Sequence, residues 1–211
     1  LPICLILPAQ DKTYAIQRDF LGIQEHQKMT LVTSYEVGDG FYNFLRWAMP
    51  LHFIRSHKYL LHSSCILDPY KRAYFCLGPS GAGKTTISSL APRKRVLGDD
   101  MNVLKIENGK CWAQAGALGQ AITNPEEYSA WYPVEGIYWL EKAPSVEVHT
   151  LSKADQYLKL SSSVANVFWP QLSSVEIQMI MSGITEILSR VELKKLMFPI
   201  DKDVWPTLWS S

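Results

Sequence analysis

Cysteine is scarce in this sequence, and its cysteines lie far apart. Cys4, Cys65, Cys76 and Cys111 form no C-x-x-C pair, which argues against a structural zinc site and against a thioredoxin-like redox motif. Cys65 and Cys76 are better explained as small apolar core residues, and free thiols of this kind persist in a reducing compartment. We therefore expect a cytoplasmic protein.

An excess of charge and a long apolar run are also missing. The formal net charge of +1 gives no electrostatic reason to expect binding to nucleic acid or to a membrane surface. The apolar residues 1–7 are too few to span a bilayer, and they lack the basic flank and cleavage site of a signal peptide. The composition is otherwise ordinary, with 47% hydrophobic and 19% charged residues. A chain of 211 residues fits one globular domain with a small extension.

The most informative segment present matches the pattern G-x-x-x-x-G-K-[ST] at every fixed position, from Gly78 to Thr85. In such a loop the glycines let backbone N–H groups point at phosphate oxygens, the lysine (Lys84) reaches the β- and γ-phosphates, and the hydroxyl of Thr85 binds Mg²⁺. An apolar strand is predicted before the loop and a helix after it, which disfavours the alternative of a glycine-rich turn that binds nothing. The predicted phosphate-binding residues are Gly78, Pro79, Ser80, Gly81, Ala82, Gly83, Lys84, Thr85 and Thr86.

Two adjacent carboxylates follow this loop. Asp99 and Asp100 come 15 and 16 residues after Lys84, a gap that one helix and a short return strand would fill. The pair would then lie at a strand end beside the phosphates, where one carboxylate can accept a hydroxyl proton and the other can hold the metal through water. The alternative is a solvated Asp-Asp turn.

A third candidate residue is His62, on the strand predicted to precede the P-loop strand. If the two strands pair, His62 can face the γ-phosphate or a carboxylate. The competing interpretation is a neutral histidine packed in the core, and the local sequence does not separate the two.

The rest of the chain predicts a mixed α/β fold, in which a mixed sheet with flanking helices is built around the P-loop. Residues 1–40 predict a small β-rich N-terminal extension, and residues 41–211 the P-loop domain. Within residues 41–59 the pattern is helical, with Pro50 as an interruption. Turn signals predict hairpins at residues 68–71 and at Asn108-Gly109.

Two further helices have marked starts. Ser152 and Ser173 each begin a stretch with capping-box spacing. In the second helix an apolar stripe recurs at helical spacing and is predicted to be core. Its members are Ile177, Ile180, Met181, Ile184, Ile187, Leu188 and Val191.

The order of these motifs resembles the kinase domain of the HPr kinase/phosphorylase family, which has a histidine strand, a P-loop and an Asp-Asp pair. The resemblance is specific over residues 59–101 and looser beyond them. It implies a fold similar to that of phosphoenolpyruvate carboxykinase and an ATP- and Mg²⁺-dependent serine kinase. It also implies that Asp99 is the general base, that His62 lies beside the phosphate, and that Asp100 lies nearer the metal together with Thr85.

Departures from the family narrow the expected activity. Residues 1–58 are too few for the separate N-terminal domain of the full bifunctional enzyme. The family's signature with an acid and an arginine has only Gln114-Ala115-Gly116-Ala117-Leu118-Gly119 as a counterpart. We therefore expect a reduced kinase that phosphorylates a serine-type hydroxyl of a peptide, a protein or a small molecule. The alternatives are a nucleotide-binding regulatory module without phosphotransfer and a carboxykinase-like enzyme. The sequence leaves open whether the protein forms a homo-oligomer.

Overall fold

The computed structural model describes residues 5–34, 39–115, 130–165 and 172–209. Within these ranges the chain forms two β-sheets and five α-helices. In chain order the elements are β1 (Leu5–Ala9), β2 (Lys12–Gln17), β3 (Phe20–Glu25), β4 (Lys28–Thr33), α1 (Gly40–Ile54), β5 (Lys58–Leu67), β6 (Ala73–Leu77), α2 (Lys84–Leu90), β7 (Val96–Gly98), β8 (Met101–Glu107), β9 (Lys110–Ala115), β10 (Tyr132–Lys142), β11 (Glu147–Thr150), α3 (Lys153–Ala165), α4 (Ser174–Arg190), β12 (Leu193–Phe198) and α5 (Trp205–Trp209).

The first sheet is an antiparallel meander of β1 to β4. One of its faces packs on α1, where Ala15 and Phe20 of the sheet form a buried cluster with Phe44 and Trp47 of the helix. The other end of α1 packs on the second sheet through Phe53. Because α1 contacts both sheets, it links the N-terminal strands to the rest of the chain. The predicted division into an N-terminal extension (residues 1–40) and a P-loop domain (residues 41–211) stays a prediction.

The second sheet is mixed, with the strand order β11-β12-β10-β6-β5-β8-β9 and with β7 paired to β5. Strands β6, β10 and β12 run parallel to one another, while β5 and β11 run antiparallel to their neighbours. Both predicted hairpins are confirmed. In the second hairpin Asn108 and Gly109 have φ values of 52° and 71°, as a two-residue type I′ turn requires.

Helices cover both faces of this sheet around β6. On one face Phe75 and Leu77 pack with Leu160 of α3 and Ile184 of α4. On the other face the neighbouring side chains of β6 pack with Ile87 of α2, with Phe198 of β12 and with Trp205 of α5. Because β6 is covered on both faces, its sequence is a continuous apolar run. The P-loop directly follows this strand. The predicted mixed α/β architecture with flanking helices is confirmed.

Two sequence predictions are wrong. Pro50 does not interrupt α1, because it lies inside the continuous helix Gly40–Ile54. The buried side chains of Trp47 and Ile54 on either side of Pro50 hold the helix in spite of the lost backbone hydrogen bond. On α4 the apolar stripe is core only in part: Ile184 and Ile187 are buried, whereas Ile177 and Met181 are 45% and 52% exposed. Helical spacing predicts which residues share a face but not how much of that face is covered.

Cys65, Cys76 and Cys111 are free and buried, which agrees with the interpretation of Cys65 and Cys76 as core residues. Burial raises the pKa of the Cys76 thiol to about 12 and that of Cys111 to about 11. Among the helices of the described residues, none combines the length and the apolar character that a membrane crossing requires.

Candidate functional site

The loop of residues 78–83 connects the end of β6 to the start of α2. Gly81 and Gly83 have φ values of 81° and 104°, in a backbone region that residues with a Cβ rarely adopt. A Cβ at Gly83 would also come within 2.8 Å of Cζ of Phe198, whereas Gly81 has open space around it. Gly83 is therefore needed for both its conformation and its packing, and Gly81 for its conformation.

Lys84 is the first residue of α2 and directly follows the loop, with 8% of its surface exposed. Its ammonium donates hydrogen bonds to the backbone oxygens of Gly78 at 2.8 Å and Pro79 at 3.1 Å. Burial lowers the pKa of Lys84, and the charge of Asp100 acts in the opposite direction. The lysine is thus a buried cation fixed at the loop, where a polyanion would be its best-matched partner.

A cavity of about 750 Å³ opens beside the loop. It brings together all the predicted site residues except Gly78, Pro79 and Ala82. The predicted residues that line it are His62, Ser80, Gly81, Gly83, Lys84, Thr85, Thr86, Asp99 and Asp100. Its size is typical of a small-molecule site.

The two aspartates lie in the short connection between β7 and β8. Asn102, which is fully buried, fixes this connection because its Nδ2 donates to the backbone oxygens of Ser63 at 2.8 Å and Gly98 at 3.3 Å. The backbone N–H of Ser63 in turn donates to the carbonyl of Asp100 at 2.8 Å. The two aspartates therefore lie on a turn that is held against β5, and both line the cavity.

Asp100 is paired with two basic side chains inside the cavity. Its Oδ2 accepts a hydrogen bond from Arg46 at 2.9 Å, and its Oδ1 lies 3.3 Å from Nε2 of His62. Burial opposes ionisation of Asp100, but the hydrogen bond of His62 and the charge of Arg46 outweigh it, so the pKa of Asp100 lies below its usual value. Asp100 is thus a firmly ionised carboxylate.

His62 lies on β5 with 18% of its side chain exposed. The sequence left a choice between a phosphate- or carboxylate-facing histidine and a core histidine. Its contact with Asp100 and its place in the cavity lining favour the first of these.

Five lining residues were missed by the sequence analysis. Three of them lie on α1, one directly precedes this helix, and the fifth, Lys142, ends β10. They are Asp39, Tyr42, Asn43, Arg46 and Lys142. Arg46 is 54 positions from Asp100 in the chain, and no local pattern marks it, because only the docking of α1 between the two sheets brings it to the loop.

The cavity offers oxygen ligands suited to Mg²⁺. Thr85 presents a hydroxyl, and Asp99 and Asp100 present carboxylates, to the same space; Mg²⁺ prefers such ligands and completes its shell with water and phosphate oxygens. In the part of the chain that the structure describes, no group of three or more His, Cys, Asp or Glu side chains is arranged to hold a metal by protein ligands alone. Thr85 and Asp100 would therefore hold the metal only together with a phosphorylated ligand.

Comparisons with known proteins give little further guidance. No model of a known protein family matches the chain, and no curated protein matches its sequence. One similar solved structure is that of the Hpr(Ser) kinase/phosphatase from Coxiella burnetii, at a TM-score of 0.37 and 13% sequence identity, with 72% of this chain and 91% of that chain covered. A likeness of this size establishes neither family nor function, which therefore rest on the site.

Proposed function

We propose that the protein is an ATP- and Mg²⁺-dependent kinase of the HPr-kinase-like type that transfers the γ-phosphate to a serine-type hydroxyl. The observation that carries this proposal is that the buried P-loop lysine, Lys84, lines the same cavity as the carboxylates of Asp99 and Asp100. Binding of a nucleotide alone needs the lysine and the loop. A neighbouring pair of carboxylates adds the means to accept a proton and to hold a metal.

In this proposal the loop amides and Lys84 bind the phosphates, and Lys84 neutralises charge that develops on the transferred group. Because α2 has only seven residues, the loop amides and the lysine matter more than a helix dipole. Thr85 and Asp100 hold Mg²⁺, which when bound shields the phosphate charge. Asp99 accepts the proton of the acceptor hydroxyl while that oxygen forms its bond to the γ-phosphorus and the bond to the β-phosphate oxygen breaks.

The surroundings of Asp100 support this division of roles. A carboxylate that is paired with Arg46 and His62, and whose pKa is lowered, is a weak proton acceptor. It is better suited to a permanent negative charge beside a metal. The base role therefore falls to Asp99.

The acceptor in this proposal is a hydroxyl on a flexible segment or a small molecule, and not the folded surface of HPr. The sequence motivates this choice, since the counterpart of the family signature lacks both the acid and the arginine. Of that counterpart, residues 116–119 lie outside the described residues. The cavity of about 750 Å³ supports the proposal because it can admit a short chain or a free metabolite next to a nucleotide.

The test is transfer of label from γ-labelled ATP, with Mg²⁺, to serine-containing peptides, free serine and HPr, followed by mass spectrometry. We expect the wild type to label a peptide or serine, and Asp99→Asn to lower the rate by about 10²-fold or more while ATP affinity is kept. Asp100→Asn is the matched variant, and we expect it to weaken the dependence on Mg²⁺.

Other outcomes would change the assignment. If Asp100→Asn shows the pattern expected of Asp99→Asn, the two roles are reversed. Efficient labelling of HPr alone, reversed by added phosphate, would contradict the acceptor class. Binding of ATP without transfer to any acceptor would favour the regulatory module.

A further inference from the structure

A second cavity adjoins the first at the carboxyl ends of β10 and β12. It has a volume of about 590 Å³. Three residues that end β10 or follow it form one wall, and three at the end of β12 form the other: Lys142, Ala143 and Pro144, and Phe198, Pro199 and Ile200. Lys142 lines both cavities and so connects the polar cavity at the P-loop with this mainly apolar one, which we call the β10–β12 groove.

The groove has a fixed position relative to the P-loop. The strands β10 and β12 are parallel neighbours, and the N–H of Ala143 donates to the carbonyl of Phe198 at 2.9 Å. Phe198 is fully buried, and its ring lies directly behind Gly83. The apolar floor of the groove is therefore in contact with the loop that would hold the phosphates.

The chemistry of the groove differs from that of the first cavity. Ile200 is 55% exposed and Pro144 is also exposed, so apolar surface borders open space there. Asp201 and Lys202, both exposed, stand at its margin and offer one acceptor and one donor. An apolar slot with a few polar groups at its edge suits a flat heteroaromatic ring.

We propose that the β10–β12 groove holds the purine base of the nucleoside triphosphate whose phosphates bind at residues 78–85, with Lys142 beside the ribose and the phosphates. The proposal rests on the proposed function, because the base can lie here only if the phosphates lie at the P-loop. It explains why an apolar side chain as large as Ile200 is left half exposed next to a cavity lined by charged groups.

The test compares two probes, Mg²⁺·ATP and Mg²⁺·tripolyphosphate, by calorimetry. We expect the wild type to bind ATP more tightly than tripolyphosphate. Ile200→Ser removes apolar contact with the base and should weaken ATP binding by about tenfold while the affinity for tripolyphosphate is unchanged. The matched control is Ile177→Ser, a half-exposed isoleucine on α4 outside both cavities, which should change neither affinity.

Each remaining outcome has one meaning. If Ile200→Ser leaves ATP affinity unchanged, or weakens both probes equally, the base does not lie in the groove while phosphate binding at the P-loop still stands. If the wild type binds neither probe, the proposed function fails and the groove assignment falls with it.

Discussion

Asp100 pairs with Arg46 and His62 inside the cavity, and this pairing has a consequence for stability at low pH. The pKa of Asp100 is lowered in the folded protein, so its pairing contributes stability that is complete above the unfolded-state pKa of about 4 and is lost as the pH falls through the lower folded-state value. Arg46→Met should therefore lower the melting temperature at neutral pH, and the gap to the wild type should narrow as the pH drops below about 4.

Thermal unfolding of both proteins between neutral pH and strong acid measures this gap. The control is Arg55→Met, which removes a pair with Glu176 in which the arginine is 69% exposed and which should matter little at any pH. A gap for Arg46→Met that stays constant down to strong acid would show that Arg46 acts through packing and not through its charge.

Substitution of His62 tests whether its contact with the carboxylate of Asp100 inside the cavity is needed for turnover. Because it faces Asp100 at 3.3 Å with part of its ring exposed, His62→Ala should lower phosphotransfer more than it lowers the melting temperature. The chain offers a matched control in His149, which lies 3.0 Å from Glu147 away from the cavity. His149→Ala should leave turnover unchanged. Normal activity per folded molecule with a clearly lower melting temperature for His62→Ala would make His62 a structural residue.

Sequence patterns predicted most of the residues that line the cavity, because motifs are local. Lys84, Thr85 and the aspartates were all predicted from spacing along the chain. Arg46 and Lys142 were not, since their place in the cavity depends on how α1 and β10 dock. The structural role of Asn102 was not predicted either, although a single Asn amid apolar strand residues indicates a buried side chain that makes hydrogen bonds.

At the scale of structural elements, the loop between β6 and α2 requires glycine at two positions, Gly81 and Gly83. Both Gly81→Ala and Gly83→Ala meet a positive φ, which costs about 1 kcal/mol for a residue with a Cβ. Only at Gly83 would the new methyl also meet Phe198. Gly83→Ala should therefore destabilise the protein by about 1–3 kcal/mol more than Gly81→Ala does, as measured by denaturant unfolding.

Equal losses for the two variants would mean that Phe198 moves aside without cost. The loop would then be less rigidly supported by β12 than the packing of Gly83 on Phe198 indicates.

The helices show that sequence patterns predict where a helix begins but not how much of its apolar face is buried. A capping box begins α4 at Ser173 as predicted, because capping depends on residues within one turn. How much of the helix is covered depends on partners distant in sequence, so the exposure of Ile177 and Met181 could not be predicted. The same holds for Pro50, whose cost is offset by packing that no local pattern reveals.

At the scale of the whole molecule, the sequence predicted a mixed sheet with flanking helices because hairpin signals are mixed with helix signals along the chain. It did not predict that α1 lies between two sheets and lines the cavity. That arrangement ties the N-terminal strands to the site: Asn43 of α1 donates to the carboxylate of Asp19 in the turn between β2 and β3 at 2.6 Å, and Asn43 also lines the cavity.

The central claim is that the cavity binds the phosphates of a nucleoside triphosphate through Lys84. Calorimetry of Mg²⁺·ATP with the wild type and with Lys84→Ala tests it most directly, with circular dichroism to show that both proteins are folded. We predict one nucleotide per chain for the wild type and at least about a tenfold loss of affinity for the variant, because a buried cation facing the phosphates is removed. Equal affinity of the two folded proteins for ATP would contradict the account.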